Sequence, residues 1–222
     1  MNETVVLMAD DGHRFDAYLA RPATTPKAAI VVIQEIFGVN AHIREVADRF
    51  ADAGYLAIAP ALFDRIRPHV ELAYDGDGVA AGRDLKTEAD AHSEADVMAA
   101  TAYVASAGKI AAVGFCWGGS LAWRLASRPD SGIDAAVSYY GGELPALAAR
   151  TAHCPVMAHF GLHDTSIPEA GAREFAAAQP GVITHFYDAG HGFNCDHRGQ
   201  YDAAAAAQAW ARTTAFLQDH IG

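Results

Sequence analysis

Apolar positions along the chain recur with two periods, and the switches between them mark out the elements. Residues 4–8 and 15–20 are β-rich and bracket the turn Asp10-Asp11-Gly12, which predicts a hairpin. Residues 28–33 form an unbroken apolar run, as expected of a strand covered on both faces. Ile43, Val46, Ala47, Phe50 and Ala51 then follow helical spacing, with Asn40 as N-cap and Gly54 as stop. Residues 55–59 read as the next strand, closed by Pro60. The stretch 62–84 mixes proline, glycine and both signs of charge, and predicts a long surface excursion. Within it Asp75 and Asp77 read as turn chemistry beside glycine.

Helical spacing resumes near Thr87 and runs to about Ser106, ending at Gly108. A strand is then expected at Ile110–Phe115, a helix at Trp117–Ala126, and strands at 135–140 and Val156–Gly161. A helix at Glu169–Ala178 and a strand at 182–187 follow. The last helix is expected over 201–217, with Ala203, Ala206, Trp210, Thr213, Thr214 and Leu217 along one face. Strand–helix alternation predicts an α/β fold: a mostly parallel sheet with helices on both faces and the antiparallel hairpin at one edge. Nothing divides the chain, so residues 1–222 are expected to form a single domain, long enough to bury a full core.

Composition narrows the function. Charged residues are 19% and apolar residues 51%, an ordinary globular balance. The net charge of −11 argues against non-specific binding to nucleic acid. It leaves room for an anionic small substrate, because screening over about 8–10 Å lets a few arginines govern one pocket. The first residues lack a basic n-region, and no apolar run reaches about 18 residues. Neither a signal peptide nor a membrane span is expected. Cys116, Cys154 and Cys195 are odd in number and irregular in spacing, which fits a cytoplasmic protein with free thiols.

The chemistry concentrates at three strand ends. Gly114-Phe115-Cys116-Trp117-Gly118 is a cysteine form of the nucleophile elbow, in which glycines leave space for a sharp strand-to-helix turn. The helix amino end favours thiolate at Cys116. Asp164 follows the strand ending at Gly161, and His191 sits between two glycines after the strand 182–187. The order nucleophile, acid, histidine is that of an α/β-hydrolase triad. Cys116 is expected to attack an acyl carbon, His191 to move the proton, and Asp164 to orient the ring, with His163 a bystander. The oxyanion would be met by the backbone N–H of Trp117 and of Ile36, the latter in the loop Gln34-Glu35-Ile36-Phe37-Gly38. Glu35 beside that site either turns to solvent or contacts the Cys116 thiol and holds it protonated. Phe37 is a candidate pocket residue, and Tyr140 reads equally as pocket lining or support for the nucleophile and as packing.

Together, Gln34-Glu-Ile-Phe-Gly-Val-Asn40, Gly114-Phe-Cys-Trp-Gly-Gly119, Tyr139-Tyr-Gly-Gly142, Gly161-Leu-His-Asp164 with Pro168, and Ala189-Gly-His-Gly-Phe193 resemble the dienelactone hydrolase (carboxymethylenebutenolidase) family over nearly the whole chain. The resemblance implies an α/β-hydrolase fold without a large cap, no cofactor, and the triad Cys116, His191 and Asp164. It implies that Glu35 contacts the resting thiol and swings away when substrate binds. The implied reaction is hydrolysis of a carboxylate-bearing enol-lactone to maleylacetate, with a general carboxylesterase of small acyl esters as the alternative. The implied partner is a small lactone or ester, neither nucleic acid nor membrane, acted on by a monomer or small homo-oligomer. Family members hold the substrate carboxylate with two arginines. Where one is expected, two residues past Gly192-Phe193, stands Cys195, with Arg198 nearby; Arg83 offers the other. Two competing readings are a ligand-binding relative without catalysis, and a metal site at His191, Cys195 and His197 with Asp196 between.

Overall fold

A computed structural model describes residues 2–222. One eight-stranded sheet runs through it in the order β1-β2-β4-β3-β5-β6-β7-β8. The strands are β1 (Glu3–Met8), β2 (Arg14–Ala20), β3 (Ala29–Ile33), β4 (Leu56–Pro60), β5 (Ile110–Phe115), β6 (Ala135–Tyr139), β7 (Val156–Gly161) and β8 (Ile183–Tyr187). β1 and β2 form the expected antiparallel hairpin, in register from Glu3 opposite Leu19 to Met8 opposite Arg14. β2 meets β4 antiparallel, and every later pairing is parallel. All the parallel strands therefore end at one edge, where open α/β sheets hold their ligands.

The five helices are α1 (Ala41–Asp52), α2 (Gly76–Val104), α3 (Trp117–Ala126), α4 (Glu169–Ala178) and α5 (Ala203–His220). Alternate residues of β3 feed two cores. Ile30 and Val32 pack with Ile43, Val46 and Phe50 of α1 and with Leu217 of α5. Val31 and Ile33 pack with Leu85, Val97 and Val104 of α2 and with Leu121 of α3. Each such fully buried aliphatic side chain contributes about 1.5–3 kcal/mol relative to exposure. Asn40 caps α1, its Oδ1 accepting from Ile43 N at 3.2 Å, as its position before the helical run predicts.

The expected surface excursion over 62–84 is shorter than predicted. Leu62–Arg65 form a 3-10 turn, and α2 already begins at Gly76. Asp75 is its N-cap, accepting from Gly78 N at 2.8 Å, and Asp77 lies in its first turn. A glycine inside α2 serves packing. A Cβ on Gly82 would lie 2.1 Å from the carbonyl oxygen of Ile36, so glycine lets α2 run against the loop after β3. That contact outweighs the roughly 1 kcal/mol that a helical glycine costs. At the other end α5 starts at Ala203, capped by Asp202, and buries Ala205, Ala206, Ala209, Thr213, Phe216 and Leu217. Ala203 is exposed, while Trp210 and Thr214 are half-buried flanks of that face.

Candidate active site

Cys116 stands between β5 and α3 with φ 54° and ψ −113°, a conformation that costs a non-glycine residue about 1–3 kcal/mol. The surroundings enforce it. Its N–H donates to Tyr139 O at 3.0 Å, and its carbonyl accepts from Ser120 N at 3.1 Å. Gly118 N donates to Gln34 O at 3.1 Å, tying the turn to the loop after β3. A Cβ on Gly114 would lie 1.8 Å from Gly118 O, so only glycine permits the turn to close. Cys116 is partly exposed and borders an open cleft of about 610 Å³, together with Ile36, Trp117, Arg83, Lys86, His191 and Arg198.

Asp164 and His191 meet beside it. The His191 Nδ1 lies 2.7 Å from Asp164 Oδ2. The other carboxylate oxygen accepts from Ser166 N at 2.7 Å and Ile167 N at 3.1 Å, so the acid is locked by its own turn. Burial opposes protonation of His191. The negative charge of Cys116 and the hydrogen bonds to Asp164 and Cys116 outweigh it and push the ring up to about 10. Tyr140 backs the ring, with centroids 5.1 Å apart.

Glu35 is fully buried, and its carboxylate accepts from Tyr74 Oη at 3.1 Å and from Arg198 Nη1 at 3.2 Å. Burial rules out the reading in which Glu35 turns to solvent, and both of these bonds lead away from the thiol. The Arg198 guanidinium lies over Phe37 and Tyr74, 5.3 and 5.4 Å from their ring centres. Burial and the charge of Glu35 push the Tyr74 phenol far above its ordinary range, so it donates as a neutral hydroxyl. Cys195 lies in the same cluster and is buried, which raises its thiol to about 12.

The cleft gathers Cys116, His191, Ile36, Trp117, Phe37, Arg83 and Arg198. Of the readings for Tyr140, pocket lining does not hold: it is fully buried behind His191, outside the cleft lining, with φ 40°. The Trp117 indole donates to Asp90 Oδ1 at 2.8 Å, and the residue borders the cleft. His163 pairs with the exposed Asp188. His191, Cys195 and His197 do not converge as a metal set, because His191 is bound to Asp164 and Cys195 faces Tyr74 and Glu35. Sequence reasoning missed Tyr74 and Lys86. Tyr74 sits in the stretch assigned to surface loop, and nothing local marks it. Lys86 extends from α2 into the cleft, 3.0 Å from Glu143 Oε1.

The sheet order, the crossovers and a partly exposed residue in a strained strand-to-helix turn define an α/β-hydrolase. Comparison makes this specific: the dienelactone hydrolase family model matches residues 15–221, and the chain belongs to that family. It is a hydrolase of the dienelactone hydrolase type. A provisionally named carboxymethylenebutenolidase of Synechocystis sp. is 36% identical over 98% of this chain and 97% of its own. Carboxymethylenebutenolidase 1 of Cupriavidus pinatubonensis is 31% identical over 98% of this chain and 97% of its own. The crystal structure of a provisionally assigned dienelactone hydrolase from Klebsiella pneumoniae superposes with a TM-score of 0.80 at 27% identity, covering 99% of this chain and all of that one. Among the described residues no helix is long and apolar enough to cross a membrane.

Proposed function

We propose that this protein hydrolyses a small carboxylate-bearing lactone through a covalent acyl-cysteine. The observation that carries the reading is the shared position of Cys116, His191 and Asp164: a strained cysteine and a carboxylate-bound imidazole bordering one cleft. The Cys116 thiolate attacks the acyl carbon, forming a C–S bond. The resulting oxyanion is met by the N–H groups of Ile36 and Trp117. Neither has a backbone partner among the described residues. Collapse breaks the C–O bond, and the His191 imidazolium protonates the leaving oxygen. Neutral His191 then takes a proton from water, which attacks the thioester and restores the thiolate and imidazolium. Asp164 holds the ring tautomer throughout.

Glu35 serves as a gate on this thiol. Bound to Arg198 and Tyr74, it occupies the place of a carboxylate that has left Cys116 free to ionise. Arg83 and Lys86 at the cleft supply positive charge for a substrate carboxylate. One observation favours the second reading, a carboxylesterase of neutral small acyl esters: Arg198 is already engaged by Glu35, and Lys86 by Glu143.

Assay with cis- and trans-dienelactone beside a p-nitrophenyl ester decides between them. Cys116→Ala is expected to lose turnover of every substrate by at least about 10⁴-fold. An unchanged rate in that variant removes the covalent mechanism. Arg83→Ala should raise KM for the lactones more than for the neutral ester. Equal effects on both would leave the esterase reading.

A further inference from the structure

The loop that carries Arg198 holds a second cluster, outside the hydrolytic cleft. His42, near the start of α1, is completely buried, and among the described residues neither of its ring nitrogens has a hydrogen-bond partner. An unsatisfied buried polar group costs about 1–3 kcal/mol, so an orphaned imidazole calls for a ligand. Its Nδ1 faces Asp196 Oδ1 at 3.3 Å, and His197 Nε2 lies 3.9 Å from the same oxygen. All three ligand atoms fall within 4.8 Å of one another.

That spacing suits a metal ion. Ligand atoms around tetrahedral zinc, with bonds of about 2.0–2.1 Å, stand roughly 3.3 Å apart. The His42–Asp196 edge already has this length. The longer edges close by rotation of His197, whose Nε2 now shares a 2.8 Å contact with Glu45 Oε2. We propose that His42 Nδ1, Asp196 Oδ1 and His197 Nε2 bind a divalent cation of the zinc type, with Glu45 or water completing its shell. Two imidazoles and one carboxylate favour zinc, cobalt or nickel over magnesium or calcium, which prefer oxygen. Burial also pushes His42 below the ordinary histidine range, which keeps the ring in its ligating neutral form. The ion would clip the segment 194–198 to the start of α1. Arg198, next after His197, would then be held against Glu35.

Zinc is titrated by calorimetry into chelator-stripped Cys116→Ala protein, so that the cleft thiol cannot compete. The expected result is one ion per chain with micromolar or tighter affinity. Asp196→Ala and His197→Ala change half-exposed side chains and should leave the fold intact. Each is expected to weaken binding at least about tenfold. Cobalt in place of zinc should give d–d absorption without a thiolate charge-transfer band. Amide exchange over residues 194–198 should slow with zinc, and not in His197→Ala. Absence of saturable one-to-one binding overturns the proposal. So does unchanged affinity in either alanine variant, or a thiolate band marking Cys195 as the ligand.

Discussion

The turn after β5 and the loop after β8 each bring a proposed catalytic side chain to one cleft, and they are held by opposite means. Backbone fixes the turn. Its glycines admit carbonyls that any Cβ would strike, and its amides bond to Tyr139 and Gln34 carbonyls. Side chains distant in sequence fix the loop. His191 rests on Asp164, Arg198 on Glu35, and His197 on Glu45. Backbone packing of this density has one solution. Side-chain ion pairs have alternatives, because each member can find another partner. The proposed nucleophile is therefore presented rigidly, while the groups proposed to govern its charge sit on contacts that can be exchanged.

The largest effect should come from cutting the loop's anchor to β7. Asp164→Asn keeps the shape and removes the charge, and is expected to lower kcat by roughly 10⁴-fold through loss of the correct tautomer. It should also move the alkaline limb of the kcat/KM profile. In the parent protein His191, pushed up to about 10, stays protonated as pH rises and would lose its proposed acid function only above that point. Without the Asp164 carboxylate the limb shifts to lower pH. The same raised value means that the ring's contribution to folding is full below the ordinary 6.5 and lost as pH climbs through about 10. A limb that stays in place would show that Asp164 does not act on the ring.

A pair of glycine substitutions, each next but one or next to a proposed catalytic residue, tests the contrast directly. A Cβ on Gly118 would lie 2.2 Å from Ile33 O and 2.6 Å from Gln34 O, both backbone atoms. Gly118→Ala is expected to cost about 1–3 kcal/mol by overpacking. Displacing the Gln34–Gly38 loop by about 1 Å should lower turnover on the order of 100-fold. On Gly190 a Cβ meets only His163 O, at 3.9 Å, and the glycine has no positive φ. Gly190→Ala should stay within about 0.5 kcal/mol of the parent in thermal unfolding. Equal losses in the two variants would end the distinction between a rigid turn and an adjustable loop.

The same difference explains what could be read from the sequence. The strand ends and the Cys116 turn were legible because their causes are local: apolar runs, caps, and glycines flanking one residue. The helix Trp117–Ala126 was placed to the residue. The start of α2 was not, because Gly78 and Gly82 are glycines for the sake of contacts with Ala73 and Ile36, which spacing along the chain does not reveal. The Glu35 partners were illegible for the same reason. Arg198 comes from far downstream, and Tyr74 from a segment with no pattern of its own. His42 gave no signal either, since a histidine on the buried side of a helix reads as core.

The smallest effect is expected at Tyr74, and it bears most closely on whether the side-chain contacts are exchangeable. Tyr74 Oη donates to Glu35 Oε2 at 3.1 Å and accepts from Asn40 Nδ2 at 3.0 Å. Such a bond contributes about 0.5–1.5 kcal/mol net, so Tyr74→Phe should shift the balance of Glu35 positions by at most roughly tenfold. If Glu35 divides its time between Arg198 and the Cys116 thiol, the variant favours the thiol, which then stays protonated. Alkylation of Cys116 by iodoacetamide at neutral pH should slow, by at most that factor. The other thiols do not obscure the measurement, because burial raises Cys154 to about 11 and Cys195 to about 12. In a Glu35→Gln background the carboxylate is gone, and Tyr74→Phe should leave the rate unchanged. Slowing of the same size in both backgrounds would mean that Tyr74 acts on the thiol by another route, and that the buried carboxylate is a fixed strut like the Asp96–Arg65 pair, whose two 2.7 Å bonds join α2 to the 3-10 turn before it.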